Sequence, residues 1–168
     1  MYCYYKVKIN GRHGEAAMDS IDIKILRCLR ENARMNASDI GERINMSVSA
    51  VIERIKKLEI AGIIKQYTVV LDPKQIGKDV FAFISVSLEH PKFNDSFSTS
   101  VQKIEQITEC HYITGDFDFF LKVVAGSTQE LTNILNEIKS INGVSLTRTL
   151  VVLSTIKNNV SVLPDAPF

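Results

Sequence analysis

Residues 36–62 read NASDIGERINMSVSAVIERIKKLEIAG, and their spacing decides the amino-terminal fold. Asn36 is a good N-cap, with Asp39 three residues on in a capping-box-like pair. Ile40 and Ile44 give the helix that follows an apolar stripe. Asn45, the best residue after Gly for a left-handed C-cap, ends it. Ser47 caps a further helix that carries Val51, Ile55 and Leu58 on one face and stops at Gly62. The gap of about three residues between them is the tight turn of a helix-turn-helix. Upstream, Asp19 opens an earlier helix with Asp22 in its first turn and Ile21, Ile25, Cys28 and Leu29 at helical spacing.

Turned outward on the third helix are Ser49, Ala50, Glu53, Lys56 and Lys57, with Arg54 on the flank. Small residues let a helix approach a major groove. Ser bonds phosphate or base edges, Lys and Arg supply phosphate charge or read guanine, and Glu accepts from cytosine. Asn36, Ser47, Ser49, Ala50, Glu53, Arg54, Lys56 and Lys57 are the candidate DNA contacts. A plain solvated face would carry the same charges; the short turn and adjacent caps favour the groove. Glu53 has two readings, a base contact or an intrahelical partner for Arg54 or Lys57.

The charge balance agrees. Residues 1–66 hold 12 Lys/Arg against 8 Asp/Glu, and residues 79–168 hold 6 against 10. A basic half joined to an acidic half fits a nucleic-acid module attached to another domain.

Residues 63–71 read as a β-branched strand stopped by Asp72-Pro73, a wing or a linker strand. Beyond it the pattern is βαββαβ. Val80–Leu88 alternates, with Val80, Ala82, Ile84, Val86 and Leu88 on one face. Phe93, Phe97, Val101 and Ile104 form a helical stripe, and Ile107–Thr114 a strand. Gly115-Asp116 is a two-residue hairpin signal before the strand Phe117–Ala125. Leu131, Ile134, Leu135, Ile138 and Ile141 mark a second helix, and Val144–Ser154 the last strand. The whole is α+β: a winged-type helix-turn-helix and a ferredoxin-like sheet with both helices on one face. The other face carries Phe81 or its neighbours and Phe120, which calls for another subunit to cover it.

The domain division expected is an extension or tag at 1–17, a helix-turn-helix at 18–62, a linker at 63–78, the βαββαβ domain at 79–157 and a tail at 158–168. Tyr2, Tyr4 and Tyr5 could mark a short strand in the extension, and Lys6, Lys8 and Arg12 a DNA-contacting arm. There is no secretion signal and no apolar run of about 18 residues, the minimum for a membrane span, so a cytoplasmic protein without membrane association is expected. Cys3, Cys28 and Cys110 are odd in number and widely spaced, so no disulfide framework is expected; Cys28 and Cys110 read as small buried hydrophobes.

No catalytic set is visible. His13, His90 and His111 are scattered without metal-ligand spacing. Cys110 and His111 are adjacent in a strand and point to opposite faces. No phosphate-binding glycine loop appears. Neither an enzyme, nor a metal, nor a cofactor is expected.

The runs SVSAVIERIKKLEIAGIIKQYTVVLDPKQIG (Ser47–Gly77), VQKIEQITECHYITGDFDFFLKV (Val101–Val123) and TRTLVVLSTIK (Thr147–Lys157) resemble the Lrp/AsnC, or feast/famine, regulators. The resemblance spans about residues 19–160. It implies a transcriptional regulator of amino-acid metabolism: a homodimer, assembling to a tetramer or octamer, that binds double-stranded DNA and responds to a free amino acid such as leucine or methionine. Position by position, it makes Ser47–Ile60 the recognition helix and places Gly115, Asp116, Phe117 and Asp118 in an effector-binding loop between dimers. It gives Thr147, Thr149 and Val151 a part in closing that site or in tuning the response. An amino acid needs an acceptor for its ammonium, donors for its carboxylate and an apolar wall. Asp118, the backbone at Gly115 and the threonines could serve its polar ends, and Ile113, Phe117 or Phe119 its side chain. Without the resemblance, Asp118 reads first as a cap of its own turn. Asn45 and Val48 depart from the Gly and Pro common in the family, and neither change threatens the motif. Two other functions fit the residues: an architectural DNA-bending protein without an effector, and an amino-acid sensor subunit acting on a protein partner.

Overall fold

The computed structural model describes residues 18–164 and the backbone of two short segments before them. Those segments are β1 (Lys8–Ile9) and β2 (Arg12–His13), paired antiparallel. This two-residue ladder stands where the sequence shows no element. Tyr2, Tyr4, Tyr5 and Lys6, and the side chains of Lys8 and Arg12, lie outside the described residues. The chain divides into one unit of residues 1–69 with 158–168, and a second of residues 70–157.

In the first unit, α1 (Ser20–Glu31) starts at a complete capping box. Asp19 accepts from the backbone N–H of Ile21 and Asp22 at 2.9 Å, and Asp22 accepts from Asp19 N–H at 3.1 Å. Asn36 caps α2 (Ala37–Ile44) by accepting from Asp39 N–H at 2.8 Å. Ser47 caps α3 (Val48–Ile60) by accepting from Ala50 N–H. These caps satisfy helix N–H groups that have no partner inside the helix. Gly62, with φ 70°, closes α3 in a Schellman turn, Ile63 N–H donating to Leu58 C=O at 3.0 Å. Ile25, Cys28, Ile40, Val51 and Leu58 form the small core.

The α2–α3 turn runs through Asn45 in the left-handed region (φ 56°). Met46 N–H donates to Gly41 C=O at 2.9 Å. A Cβ at Gly41 would lie 2.6 Å from Met46 O, so this turn needs glycine there as well as Asn45.

The second unit is a four-stranded sheet with two helices on one face. Its strands are β3 (Val80–Leu88), β4 (Ile107–Tyr112), β5 (Phe119–Ala125) and β6 (Val144–Val151). The order is β4-β5-β3-β6, every neighbouring pair antiparallel, which is the ferredoxin-like arrangement. Between strands lie a 3-10 turn (Pro91–Phe93), α4 (Asn94–Val101) and α5 (Thr128–Ser140). Ala82, Ile84, Val86, Leu121, Val123 and Ala125 pack against Phe97, Val101, Ile104, Leu131, Ile134 and Ile138. Leu135 and Ile141 pack on the margin of that core, and Phe93 stands in the 3-10 turn outside α4.

Several expectations are corrected. Residues 63–71 form no strand. Val69, Val70 and Leu71 are exposed, and β-branched residues make a strand only where a neighbouring strand takes up their backbone groups. No wing is therefore present among the described residues. The last strand ends at Val151, three residues early: Ala82–Val151 is its last pair with β3, and Val152 N–H donates to Phe81 C=O at 2.8 Å just beyond it. The hairpin between β4 and β5 is wider than two residues: Tyr112 pairs with Phe119, Ile113 N–H donates to Asp118 C=O at 2.8 Å, and Thr114–Phe117 bridge them. Cys28 is buried as expected. Cys110 is exposed, because β4 is an edge strand.

The 63–78 segment, which leads from the first unit into the second, is tied on both sides of the junction. Tyr67 donates its hydroxyl to Glu59 on α3 at 2.8 Å, and partial burial with that carboxylate pushes its pKa up to about 12. Lys78 pairs with Glu130 of α5 at 2.6 Å, and Glu130 also accepts from Gly126 N–H at 2.8 Å. A Cβ on Gly126 would come within 2.5 Å of Gly77 O, so glycine lets the two backbones touch.

Candidate nucleic-acid interface and effector loop

The α3 cap, its small first turn and its outward stripe make up the candidate interface. Ser47 and Ser49 are exposed at the N-terminus, their hydroxyls 3.2 Å apart, where helix N–H groups favour phosphate. Ala50 is half-buried beside a shallow cleft lined by Asp19, Asp22, Met46, Glu53, Arg54 and Lys57. Asn36 is occupied in capping α2. Lys56 is exposed and carries no ion pair among the described residues.

Arg54 is held in ion pairs within the helical unit. It reaches back to Asp22 at 2.7 Å and Asp19 at 2.8 Å, joining α3 to the capping box of α1. The Asp22 hydrogen bond raises its pKa further. Partial burial acts to raise the Asp19 pKa, but backbone N–H groups and Arg54 outweigh it and hold the carboxyl below its ordinary value. Arg54 thus positions the helix. The partner 32 to 35 residues away left no local signal. Glu53 pairs with Lys57 at 2.8 Å, the intrahelical alternative, and that pairing lowers its pKa.

The outward stripe also holds a residue that the sequence reading passed over. Ile52 is 54% exposed, between Ser49 and Lys56, and Val48 is 44% exposed one turn earlier. Apolar residues at 51, 52 and 55 look alike in sequence, and only the position of the α1–α2 pair shows which is left out.

In the sheet unit, Gly115 (φ 116°) and Asp116 are exposed at the tip of the β4–β5 loop, with Ile113 and Phe117 half-buried at its base. Asp118 holds the loop to β3. Its N–H donates to Val86 C=O at 3.0 Å, and its Oδ2 accepts from Leu88 N–H at 2.8 Å. Ser87 Oγ donates to Asp116 C=O at 3.3 Å. The other Asp118 oxygen carries no hydrogen bond among the described residues. Ser87 and Leu88 support the loop from thirty residues away and had no motif to reveal them.

Thr147, Thr149 and Val151 pair with Val86, Ile84 and Ala82, so they share the helix-covered face. Thr147 stands across Val86 from Phe119, about 10 Å from the loop's base at two strand spacings. Val151 is four residues further along, about 13 Å away from Thr147. Within one chain Thr147 stands nearest the loop, still two strand spacings away, and Thr149 and Val151 stand progressively further off. Phe119 is buried against Phe97 at 4.7 Å between ring centres, which withdraws it from the proposed wall.

The opposite sheet face is open. Phe83 and Phe120 stack there at 5.1 Å with an interplanar angle of 17°. Leu146 and Leu150 are 57% and 48% exposed on the same face, which Phe81 also shares by register. Lys122 pairs with Glu109 at 2.7 Å, lowering the Glu109 pKa, and marks the polar edge.

A capped helix-turn-helix joined to a ferredoxin-like sheet defines a DNA-binding transcription regulator with a separate sensory or assembly domain. Comparison with known proteins agrees. The AsnC-type helix-turn-helix domain matches residues 18–59, and the Lrp/AsnC ligand binding domain matches residues 80–162. The chain belongs to the Lrp/AsnC family, a family of transcription regulators and not of enzymes. It is similar to the leucine-responsive regulatory protein of Escherichia coli K12, at 33% identity over 84% of this chain and 88% of that protein. It is also similar to the HTH-type transcriptional regulator FL11 of Pyrococcus horikoshii, at 34% identity over 83% and 92%. A transcriptional regulator of Neisseria meningitidis in complex with L-methionine superposes with a TM-score of 0.83, at 33% identity over 86% of this chain and 96% of that one. The feast or famine regulatory protein of M. tuberculosis complexed with L-methionine gives 0.81, at 28% identity over 88% and 100%. No helix among the described residues is long and apolar enough to cross a membrane.

Proposed function

We propose that this regulator works in the cytoplasm as a dimer assembled through the open sheet face, and that a free amino acid tunes its assembly and its DNA affinity. Residues 18–62 bind DNA, 63–78 link, and 79–157 sense and assemble. The stacked Phe83–Phe120 pair, with Leu146 and Leu150 beside it, carries the reading: it is an aromatic and aliphatic patch on the sheet face opposite the helices. A two-fold dimer presents two α3 helices to half-sites about one helical turn apart, or a multiple of it. Further association to tetramers or octamers gives a surface around which DNA bends.

The effector site is the loop of Gly115, Asp116, Phe117 and Asp118, with Ile113 and Thr147. Thr149 and Val151 come from the same strand, where a neighbouring dimer's loop completes the site. The methionine complexes of two structural relatives support an amino acid such as methionine or leucine. Because Asp118 already uses Oδ2 to fix the loop, its contribution to an ammonium group is the remaining oxygen. The ligand must bind one assembly state more tightly than the other to shift the equilibrium.

Light scattering of the purified chain, alone and with each of the twenty amino acids, tests this. One amino acid should change the mass, and at a hundredfold excess over its Kd stabilise the fold by about 2.7 kcal/mol. A mass that stays fixed, with no amino acid bound, would leave a DNA-binding regulator without this effector site. Leu146→Lys with Leu150→Lys should weaken the dimer; an unchanged mass would exclude the open face as the interface.

A further inference from the structure

We infer that Ile52 is a specificity-determining residue, which recognises the C5-methyl group of a thymine in each DNA half-site. The inference rests on the assignment of α3 as the helix that enters the major groove. Residues near the start of such a helix meet base edges. Ile52 is the fifth residue of α3 and is 54% exposed, while its neighbours Val51 and Leu58 are buried. At i−3 and i+4 it is flanked by Ser49 and Lys56, both exposed, so the apolar side chain sits within a polar stripe.

Most other groups on this face are tied within the protein, and Lys56, exposed and without an ion pair among the described residues, brings charge suited to a phosphate. Arg54 is held by Asp19 and Asp22, and Glu53 by Lys57. Ser47 is engaged with Ala50 N–H and with Ser49. Ile52 has no such internal obligation. In the major groove, thymine alone among the standard bases presents a methyl group, and an aliphatic side chain is its natural complement. Val48, 44% exposed one turn earlier, extends the apolar surface toward an adjacent methyl.

The test uses the full chain and a half-site obtained by selection from random duplexes. Each thymine is then replaced singly by deoxyuridine, which lacks only the methyl group. One position per half-site should weaken wild-type binding by about fourfold, the equivalent of one buried methyl group. Ile52→Ala should bind the thymine duplex more weakly and show no further loss with deoxyuridine at that position. Placing 5-methylcytosine there should recover part of the wild-type affinity and none of the variant's. Equal losses in wild type and Ile52→Ala, or no loss at any thymine, would overturn the inference. Salt-dependent binding to random duplex is read alongside. If it persists while the coupling is absent, the helix still meets DNA and only the role of Ile52 fails; if it too is absent, the α3 assignment fails.

Discussion

The helical unit and the sheet unit are held together by different means. Among the described residues, the apolar cluster of the sheet unit has thirteen buried members, whereas that of the helical unit has five. The smaller unit makes up the difference with directional contacts: three side-chain caps, a left-handed turn and the Asp19–Asp22–Arg54 ion pairs. Apolar packing is insensitive to pH and tolerant of small shifts. A network of caps and charges fixes helix orientation more sharply, and is more easily perturbed. The unit that must present α3 in one orientation is the one built that way.

The contrast can be broken from either side. The largest effect is expected in the sheet core: Phe97→Ala removes a fully buried ring and should cost about 3–5 kcal/mol by denaturant unfolding. The helical signal should survive it if the units are independent. Arg54→Ala should cost less, about 1–2 kcal/mol, because the site is partly exposed. Its signature would be weaker DNA binding with the sheet unit's melting unchanged. If DNA affinity is unaltered, Arg54 does not set the orientation of α3. Asn45→Ala should cost about 1 kcal/mol by forcing alanine into the left-handed region, whereas Asn45→Gly should be close to neutral. Equal costs for the two would mean that the Asn45 side chain, and not its backbone, matters.

The smallest effect is with pH. The Asp19 pKa is held below 3.8, so its contribution is fully present above that value and is lost as pH falls through the lower folded-state pKa. Helical circular dichroism of the wild type should decline as the pH falls below 3.8. Arg54→Ala should flatten that decline, since it removes one of the groups that depress the Asp19 pKa.

What was legible in the sequence was what local periodicity and capping encode. Asp19, Asn36 and Ser47 were read as caps because an N-cap acts within three residues. The β3 face and the α5 stripe follow from periods of two and 3.6. What escaped notice depends on partners distant in the chain. Arg54 finds acids on another helix, and Asp118 widens its own turn by bonding Leu88 thirty residues back. Gly41 and Gly126 are required by backbone that approaches them from elsewhere. Residues 63–71 have strand composition and no strand to pair with among the described residues.

The ties at Tyr67 and Lys78 have a consequence for DNA spacing. Lys78 N–H also donates to Pro73 C=O at 2.8 Å and folds residues 72–78 into a turn, so residues 68–71, about 13 Å when fully extended, are the untied length of the 63–78 connection. In the proposed dimer, this leash makes capture of the second half-site an intramolecular event, with an effective concentration that falls sharply once the sites lie beyond its reach. Cutting the Tyr67 tie lengthens the leash by a few residues, so a single hydroxyl helps to decide how far apart two operator halves can stand.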